Sequence, residues 1–442
     1  MKTLLPILLL SASLTTTAQT VNIPDAVLKD RLVNHNPNID TNNDGEIQVS
    51  EATAFTGTLN LNPPIYERQN NNLASNSQFS DPTGIEAFIN ITKLYASNNL
   101  MSTIDLSANL KLTEIILNYN PLTSINIDGI TGLANLHVTH ANLTTINLTS
   151  NTSLSRLLLG DNNSLSSIDL SNLVNLTVLN LGSCNFSTIT LPNDAINLRT
   201  LALQFNNLSS LDLTNYKNLE SIFVNDNELT SIDVTGLTEL ITLNVKNNQL
   251  PSIDVSTNTV LESLTASDNN ITSIDVSNNN NLFVFNVIRN SLTAVKFIHQ
   301  PSIDAINQNR SFRYNLEQNP SLTCIEVDSP DYANTHNQTR FVKDPEASYQ
   351  ADCGYSLNTQ DLELVNVSLY PNPSNGTFNI NLPNKSSKNI SIYNISGQKV
   401  FEASLEKDEN TVTTNLPSGM YVARIESDNK LINIPFIIGN LN

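Results

Sequence analysis

Ten segments of the chain repeat one pattern every 21 or 22 residues, opening at Ile91, Leu112, Leu133, Leu154, Leu176, Leu198, Leu219, Leu240, Leu261 and Leu282. Each carries a second apolar residue three positions later, from Leu94 to Phe285. A unit this short cannot bury its apolar side alone, so neighbouring units must stack into a mainly β solenoid. Eight positions after each start the chain reads Asn99, Asn120, Ala141, Asn162, Cys184, Asn206, Asn227, Asn248, Asn269 and Asn290. An inward amide on every turn can bond the backbone of its own and the adjacent turn. That satisfies polar groups a coiled ribbon would otherwise bury unpaired.

The run LTVLNLGSCNF, from Leu176 to Phe186, fits the pattern L-x-x-L-x-L-x-x-[N/C]-x-L, and on these residues the sequence resembles the leucine-rich repeat family. The resemblance covers roughly half the chain and implies a repeat solenoid over residues 91–354, C-terminal cap included. Cys184 is read as a ladder residue, with a reactive thiol as the alternative.

The start, MKTLLPILLLSASLTTTAQT, places a lysine and a short apolar run before small residues. Residues 1–18 therefore read as a signal peptide cleaved after Ala18. No later apolar run approaches the length that crosses a bilayer, so no transmembrane segment is expected. The net charge of −19 repels phosphate backbones and makes nucleic acid an unexpected partner; anionic lipid surfaces are disfavoured too, unless divalent cations bridge the charges. With Cys184 in the ladder, Cys324 and Cys353 are left as the pair near the end of the repeats. In an exported protein they can form a disulfide, worth about 3 kcal/mol on the chain-entropy argument.

Residues 19–90 read as an N-terminal cap. In IPDAVLKDRLVNH, Pro24 and Asp25 suit the first turn of a short helix, and Val27, Leu28, Leu32 and Val33 make an apolar stripe. DTNNDGEIQVSE, residues 40–51, then fits a twelve-residue calcium loop: Asp40, Asn42 and Asp44 at positions 1, 3 and 5, Gly45 at the sharp turn, the Glu46 carbonyl at 7 and Glu51 at 12. Alternate oxygen ligands wrap one hard cation, and the loop resembles that of an EF-hand or dockerin. It is read as a single structural site, the alternative being an acidic turn that binds nothing. The outgoing ATAFTG is short for a second helix, GTLNL reads as a strand, 70–80 as a loop and TGIEAF as a short helix. After Leu292 an insertion precedes a divergent last turn with Leu316, Asn319, Leu322, Ile325 and Val327, and the solenoid ends near Gly354.

A linker over 355–364 leads to residues 365–442, which read as seven short β-runs: VSLYPNP, GTFNINL, NISIYNI, KVFEASL, NTVTTNL, MYVARIE and LINIPFII. They predict a small immunoglobulin-like antiparallel sandwich. Pro371, Asn372, Pro373, Gly376, Gly397, Gly419 and Tyr421 lie in segments that resemble the type A C-terminal sorting domain of proteins exported by the type IX secretion system of Bacteroidetes-type bacteria. The resemblance implies export to the periplasm by the signal segment, then passage of the outer membrane through the type IX machinery. The sorting domain is often removed afterwards, and the remainder is released or anchored to the outer surface. Where the family commonly ends in a lysine-rich strand, Lys430 is here followed by LINIPFIIGNLN.

His35, His137, His140, His299 and His336 show no zinc-type spacing, and the sequence contains no Gly-x-Ser-x-Gly, phosphate loop or Cys-x-x-Cys. No enzymatic activity is expected. Asp105, Asp169, Asp212, Asp233, Asp254 and Asp275 form an outer row, read as bonded to nearby backbone and hydroxyls, with calcium bridging as the alternative. On the strand face, Tyr95, Ile116, His137 and Leu158, with Tyr119, His140 and Arg156 nearby, make an apolar and aromatic patch, and Phe223 adds a further anchor. The sequence thus predicts a secreted or cell-surface protein that binds a protein or glycan ligand there. The alternative is a passive structural or envelope protein whose patch is ordinary surface.

Overall fold

The computed structural model describes residues 19–63, 77–193, 195–297, 313–335 and 341–354, and further on 368–370, 374, 376–381, 388–394, 398–405, 409–427 and 430–439. The signal segment, the linker, most of the insertion after Leu292, His299, His336 and the sorting-motif residues Pro371, Asn372, Pro373 and Gly397 lie outside the described residues. Two compact units divide after Leu357.

In the first unit thirteen strands, one per turn, hydrogen-bond in chain order into one sheet, from Gly57–Asn60 to Phe341–Val342. All pairings in it are parallel, and the register sets like on like: Leu94 beside Ile115, Ile115 beside Leu136, Leu136 beside Leu157. Most of these strands are three residues long because only the central side chain points inward. These central residues, Leu94 through Phe285, are fully buried, and they join one continuous core. The return run of each turn forms short strands only towards the two ends, with Thr103–Asp105 beside Ser124–Asn126 and a four-stranded sheet from Ser273–Asp275 to Ser348–Gln350.

The asparagine ladder bonds as its spacing predicts. Asn120 donates Nδ2 to the Leu117 carbonyl of its own turn and the Ala96 carbonyl of the turn before, both at 2.9 Å, and its Oδ1 accepts the Met101 N–H at 3.3 Å. The same three-way bonding recurs at Asn162, Asn227, Asn248, Asn269 and Asn290. Cys184 is buried and unbonded to another cysteine. Burial pushes its thiol up to about 11, so it packs as a small apolar group.

The N-terminal cap begins with α1, Ala26–Val33, whose first N–H groups are capped by the Asp25 carboxylate, while Leu28 and Leu32 are buried. Pro24 and Asp25 thus precede the helix rather than sit in it. The guanidinium of Arg31 donates to Asn99 Oδ1 at 2.8 Å and to the Leu61 carbonyl, which supplies the first ladder amide with a donor from the helix. α2, Val49–Ala54, is about 1.7 turns long, and Gly57–Asn60 and the 3₁₀ turn Ile85–Ala87 lead into the repeats. At the other end Leu316, Asn319, Leu322, Ile325 and Val327 are buried in the divergent turn. A short helix, α3, Pro330–Thr335, follows, and Cys324 is bonded to Cys353 across 29 residues.

The second unit realises all seven expected runs as antiparallel strands, in a three-stranded and a four-stranded sheet. Leu369, Phe378, Ile380 and Val412 from the first meet Ile390, Ile392, Tyr421, Ala423, Phe436 and Ile438 from the second in one core. This is sheet-on-sheet packing with alternate residues facing inward.

Candidate ligand-binding face and calcium loop

The loop over residues 40–51 is folded by its own side chains. Asp40, nearly fully buried, accepts the Asp44 N–H at 3.3 Å on one oxygen and the Gly45 N–H at 2.9 Å on the other. Asn42 Oδ1 accepts the Asp44 N–H, and Asp44 Oδ1 the Glu46 N–H, each at 2.9 Å. That bond, with help from Gln48 and Asn42, holds the Asp44 carboxyl below the ordinary range. Gly45 takes φ +78°, which a side chain would strain. Ile47 is buried, and its carbonyl accepts the Val21 N–H while the Val49 N–H reaches Gln19. Residues 19–21 therefore pair with the loop, an arrangement the sequence spacing did not disclose.

Glu51 stands differently from its expected place. One of its oxygens accepts the Thr41 N–H and hydroxyl at 2.7 Å each, and the other accepts the Gln48 N–H at 3.0 Å as part of the cap of α2. Burial raises its pKa, but these bonds outweigh that and leave it below the usual carboxylate range. Glu46 pairs with Lys29 of α1. Among the described residues no three Asp, Glu, His or Cys side chains converge as a ligand set. The donors in the loop are all oxygens, which suits a hard cation, but Glu51 would have to turn away from Thr41 and Gln48 to join them.

On the strand face, Tyr95, Ile116, His137 and Leu158 lie on four consecutive strands, and Phe223 stands three strands beyond Leu158, all with their outward sides half-buried by neighbours at inter-strand spacing. The Tyr95 hydroxyl donates to Glu114 at 3.1 Å and Lys93 pairs with Glu114 at 2.9 Å. Burial raises the Glu114 pKa, and the Lys93 and Tyr95 bonds more than reverse it. Burial and then the nearby Arg156 charge hold His137 below the ordinary histidine range, as neutral imidazole at neutral pH. Its Nε2 and the Asn135 Oδ1 are buried without a hydrogen-bond partner. Arg156, paired in register with Asn135, is exposed and forms no ion pair among the described residues. Tyr119 stands apart from these at the strand end, 53% exposed and stacked on His140 with ring centroids 4.2 Å apart. Phe205, equally exposed and in the same turn position, carried no sequence signal except that register.

The outer row is locally bonded, as the favoured reading had it. Asp212 and Asp233 each accept the N–H and hydroxyl of the Thr two residues on, and Asp105, Asp169, Asp254 and Asp275 accept the equivalent Ser N–H.

In the sandwich, Gly376 takes φ +99°, and a Cβ there would lie 2.8 Å from the Thr414 carbonyl oxygen, which excludes any side chain. Tyr421 is buried and its hydroxyl donates to the Pro417 carbonyl at 2.8 Å. The Tyr421 ring lies within contact of where a Gly419 Cβ would stand, at 3.6 Å.

Residues 368–439 match the family described as the secretion system C-terminal sorting domain. With the fold above, this defines a secreted or cell-surface protein: a solenoid resembling leucine-rich repeat proteins that carries a C-terminal sorting domain. An internalin from Listeria monocytogenes is similar at 21% identity and a TM-score of 0.50, over 71% of this chain and 93% of that one. The functional domain of InlJ from the same organism, which includes a cysteine ladder, is similar at 18% identity and a TM-score of 0.47, over 89% and 92%. At 21% identity the likeness to the first of these shows the fold alone. A ulvan lyase of Nonlabens ulvanivorans is 29% identical over 86 residues, 19% of this chain, and the chain spans only 16% of that curated relative's length. Among the described residues no helix is long and apolar enough to cross a membrane.

Proposed function

We propose that the solenoid is a binding module whose strand face, around Tyr95, Ile116, His137 and Leu158, holds a protein or glycan ligand. The observation that carries this reading is the trio Asn135, His137 and Arg156. Two buried polar atoms without partners, Asn135 Oδ1 and His137 Nε2, cost stability unless something else engages them, and the exposed Arg156 guanidinium stands beside them on the next strand, free to meet a ligand. Tyr95, Arg156 and Phe223 are the aromatic and arginine anchors, since such groups dominate most interfaces. The test is capture of ligand by the secreted protein, followed by affinity measurement on variants. Tyr95→Ala with Arg156→Ala should weaken binding more than about tenfold, whereas Asp233→Ala with Asp254→Ala on the outer row should change it little. If the outer-row pair is the one that abolishes binding, the acidic row is the functional surface. A protein that captures nothing is a passive structural repeat.

The loop over 40–51 is proposed to hold one calcium ion through Asp40, Asn42, Asp44, the Glu46 carbonyl and Glu51, the last after turning from the α2 cap. Because Lys29 and Arg31 of α1 join this loop to Asn99, the ion would stiffen the solenoid entry and leave distant turns unaffected. Calorimetry on Asp40→Ala with Glu51→Gln should show one bound ion lost; equal binding would exclude the loop. Export is proposed to begin with cleavage after Ala18 and to end with the sorting domain removed and the repeats released or surface-anchored. Deleting residues 365–442 should then leave the protein in the periplasm, and undiminished secretion would refute the route.

A further inference from the structure

After each of the eleven strands of the long sheet from Ile91–Tyr95 to Arg313–Asn315 the chain turns through one residue in the left-handed region, from Asn98 to Gln318, with φ between 52° and 60°. Asn or Asp holds this position at 98, 161, 226, 247 and 268; their short polar side chains tolerate it, whereas bulky ones crowd the backbone. Tyr119 and Phe205 occupy it nonetheless. Burial does not compensate, for the two residues are 53% and 54% exposed. His140, Ser183, Arg289 and Gln318 hold the same position, with Arg289 paired to Asp268 and His140 beside Asp161. The turn imposes this backbone on whatever residue stands there, so what folding does not call for is two large rings left exposed on it, and exposed apolar groups at strained positions concentrate where something binds.

The register fixes their separation. Each turn advances by one inter-strand spacing, so Tyr119 and Phe205, four turns apart, stand about 19 Å from one another. His140 and Asp161 lie between them, with the His140 ring stacked on Tyr119 and its Nε2 3.5 Å from the Asp161 carboxylate. Two positions further along the same turns, exposed Asn163 and Asn185 belong to a second row running parallel to the rings. An amide offers both a donor and an acceptor to a hydroxyl.

We propose that this rim of the solenoid binds a neutral polysaccharide laid along the solenoid axis. The apolar faces of two sugar rings would rest on Tyr119 and Phe205, and hydroxyls between them would bond the Asn163 and Asn185 amides. A ridge of one or two side chains' width suits a linear chain better than a folded protein, whose stable interfaces take about 800 Å² from each partner. The carboxylate of Asp161 on the ridge, with no Lys or Arg at the turn positions from Tyr119 to Phe205, disfavours an anionic polymer. This rests on the reading that the repeats hold a ligand, and it extends the contact from the strand face to the adjoining rim.

The test is calorimetric titration of the full-length secreted protein with cellohexaose, chitohexaose and xylohexaose, each beside its disaccharide, and with a hexameric oligogalacturonate. At least one neutral hexasaccharide should bind, and its disaccharide at least about tenfold more weakly, because it cannot reach both rings. Phe205→Asn and Tyr119→Asn should each lower the affinity at least about tenfold while the unfolding temperature holds or rises, since Asn relieves the left-handed strain. A purely structural role for the rings would not separate the two readouts in this way. Binding of the galacturonate alone, of no hexasaccharide, or with equal affinity in Phe205→Asn overturns the proposal. If Tyr95→Ala abolishes sugar binding and Phe205→Asn does not, the rim is wrong and the strand face stands; if the wild-type protein captures no ligand of any kind, the wider reading fails with it.

Discussion

Two inward columns run along the solenoid, one of asparagine just after the strands and one on the return side where asparagine shares the position with apolar residues, and their amides are held differently. Asn248, in the first, donates Nδ2 to the Val224 and Val245 carbonyls at 3.0 Å and accepts the Leu229 N–H on Oδ1 at 2.9 Å. Asn258, in the second, donates to the Val234 and Leu237 carbonyls at 2.9 Å, but its Oδ1 is buried without a partner, as are those of Asn109, Asn151 and Asn279. The carbonyls served by Asn258 also accept the Leu237 and Leu240 N–H groups at 3.2 Å. The amide there duplicates bonds the backbone already makes, whereas Asn248 is the acceptor that satisfies a buried N–H. The sequence follows the difference: the first column departs from Asn only at Ala141 and Cys184 among ten repeats, while the second admits Ile130, Leu173, Ala195, Tyr216 and Leu237.

The largest expected effect comes from Asn248→Ala, which strands the Leu229 N–H and removes two donations. Denaturant unfolding should show a loss of about 3 kcal/mol, and a loss below about 1 kcal/mol would erase the contrast between the columns. Ala141→Asn is the reverse experiment. An amide there could accept the Leu122 N–H as its counterparts do 21 residues on either side, and a gain of about 1 kcal/mol is expected. Asn258→Leu should fall within about 1 kcal/mol of the wild type in either direction, because the orphaned oxygen goes and the carbonyls keep their backbone donors. A loss as large as that of Asn248→Ala would mean that the second column carries the fold too. The smallest effect belongs to the exposed outer row. The Thr235 hydroxyl and N–H bonds hold the Asp233 carboxyl below its ordinary 3.8, so its contribution is complete above that value and fades as the pH falls through the lower folded-state pKa. The stability difference between wild type and Asp233→Asn should accordingly be flat from pH 7 to 5 and change only below about 4.

Much of this was written in periodic positions. The inward leucines, the first asparagine column, the Cys324–Cys353 bond, the buried residues of the divergent last turn and all seven strands of the sandwich could be read from spacing. The same offset from each start meets the same environment, and strand alternation decides inside from outside. The outer aspartates were legible for a similar reason, since their partners lie two residues away.

What the spacing could not show is set by residues a full turn apart. Tyr95, Ile116, His137 and Leu158 share a column with one another in the sequence, yet how far each projects depends on the flanking strands, and those strands leave them half-buried while Tyr119 and Phe205 stand clear. Glu51 occupies the twelfth place of a calcium loop, but its carboxylate answers the N–H groups of Thr41 and Gln48 because the fold of the loop and the start of α2 bring them within reach. The pairing of residues 19–21 with the loop, and the Arg31 donation to Asn99, join segments far apart in the chain. The sequence by itself determined the repeat, its inward faces, its caps and its sorting domain, because each is a local rule repeated or a motif contiguous in the chain. Only the tertiary structure decided which outward groups are satisfied and which remain exposed, because exposure and hydrogen-bond satisfaction are properties of neighbours in space.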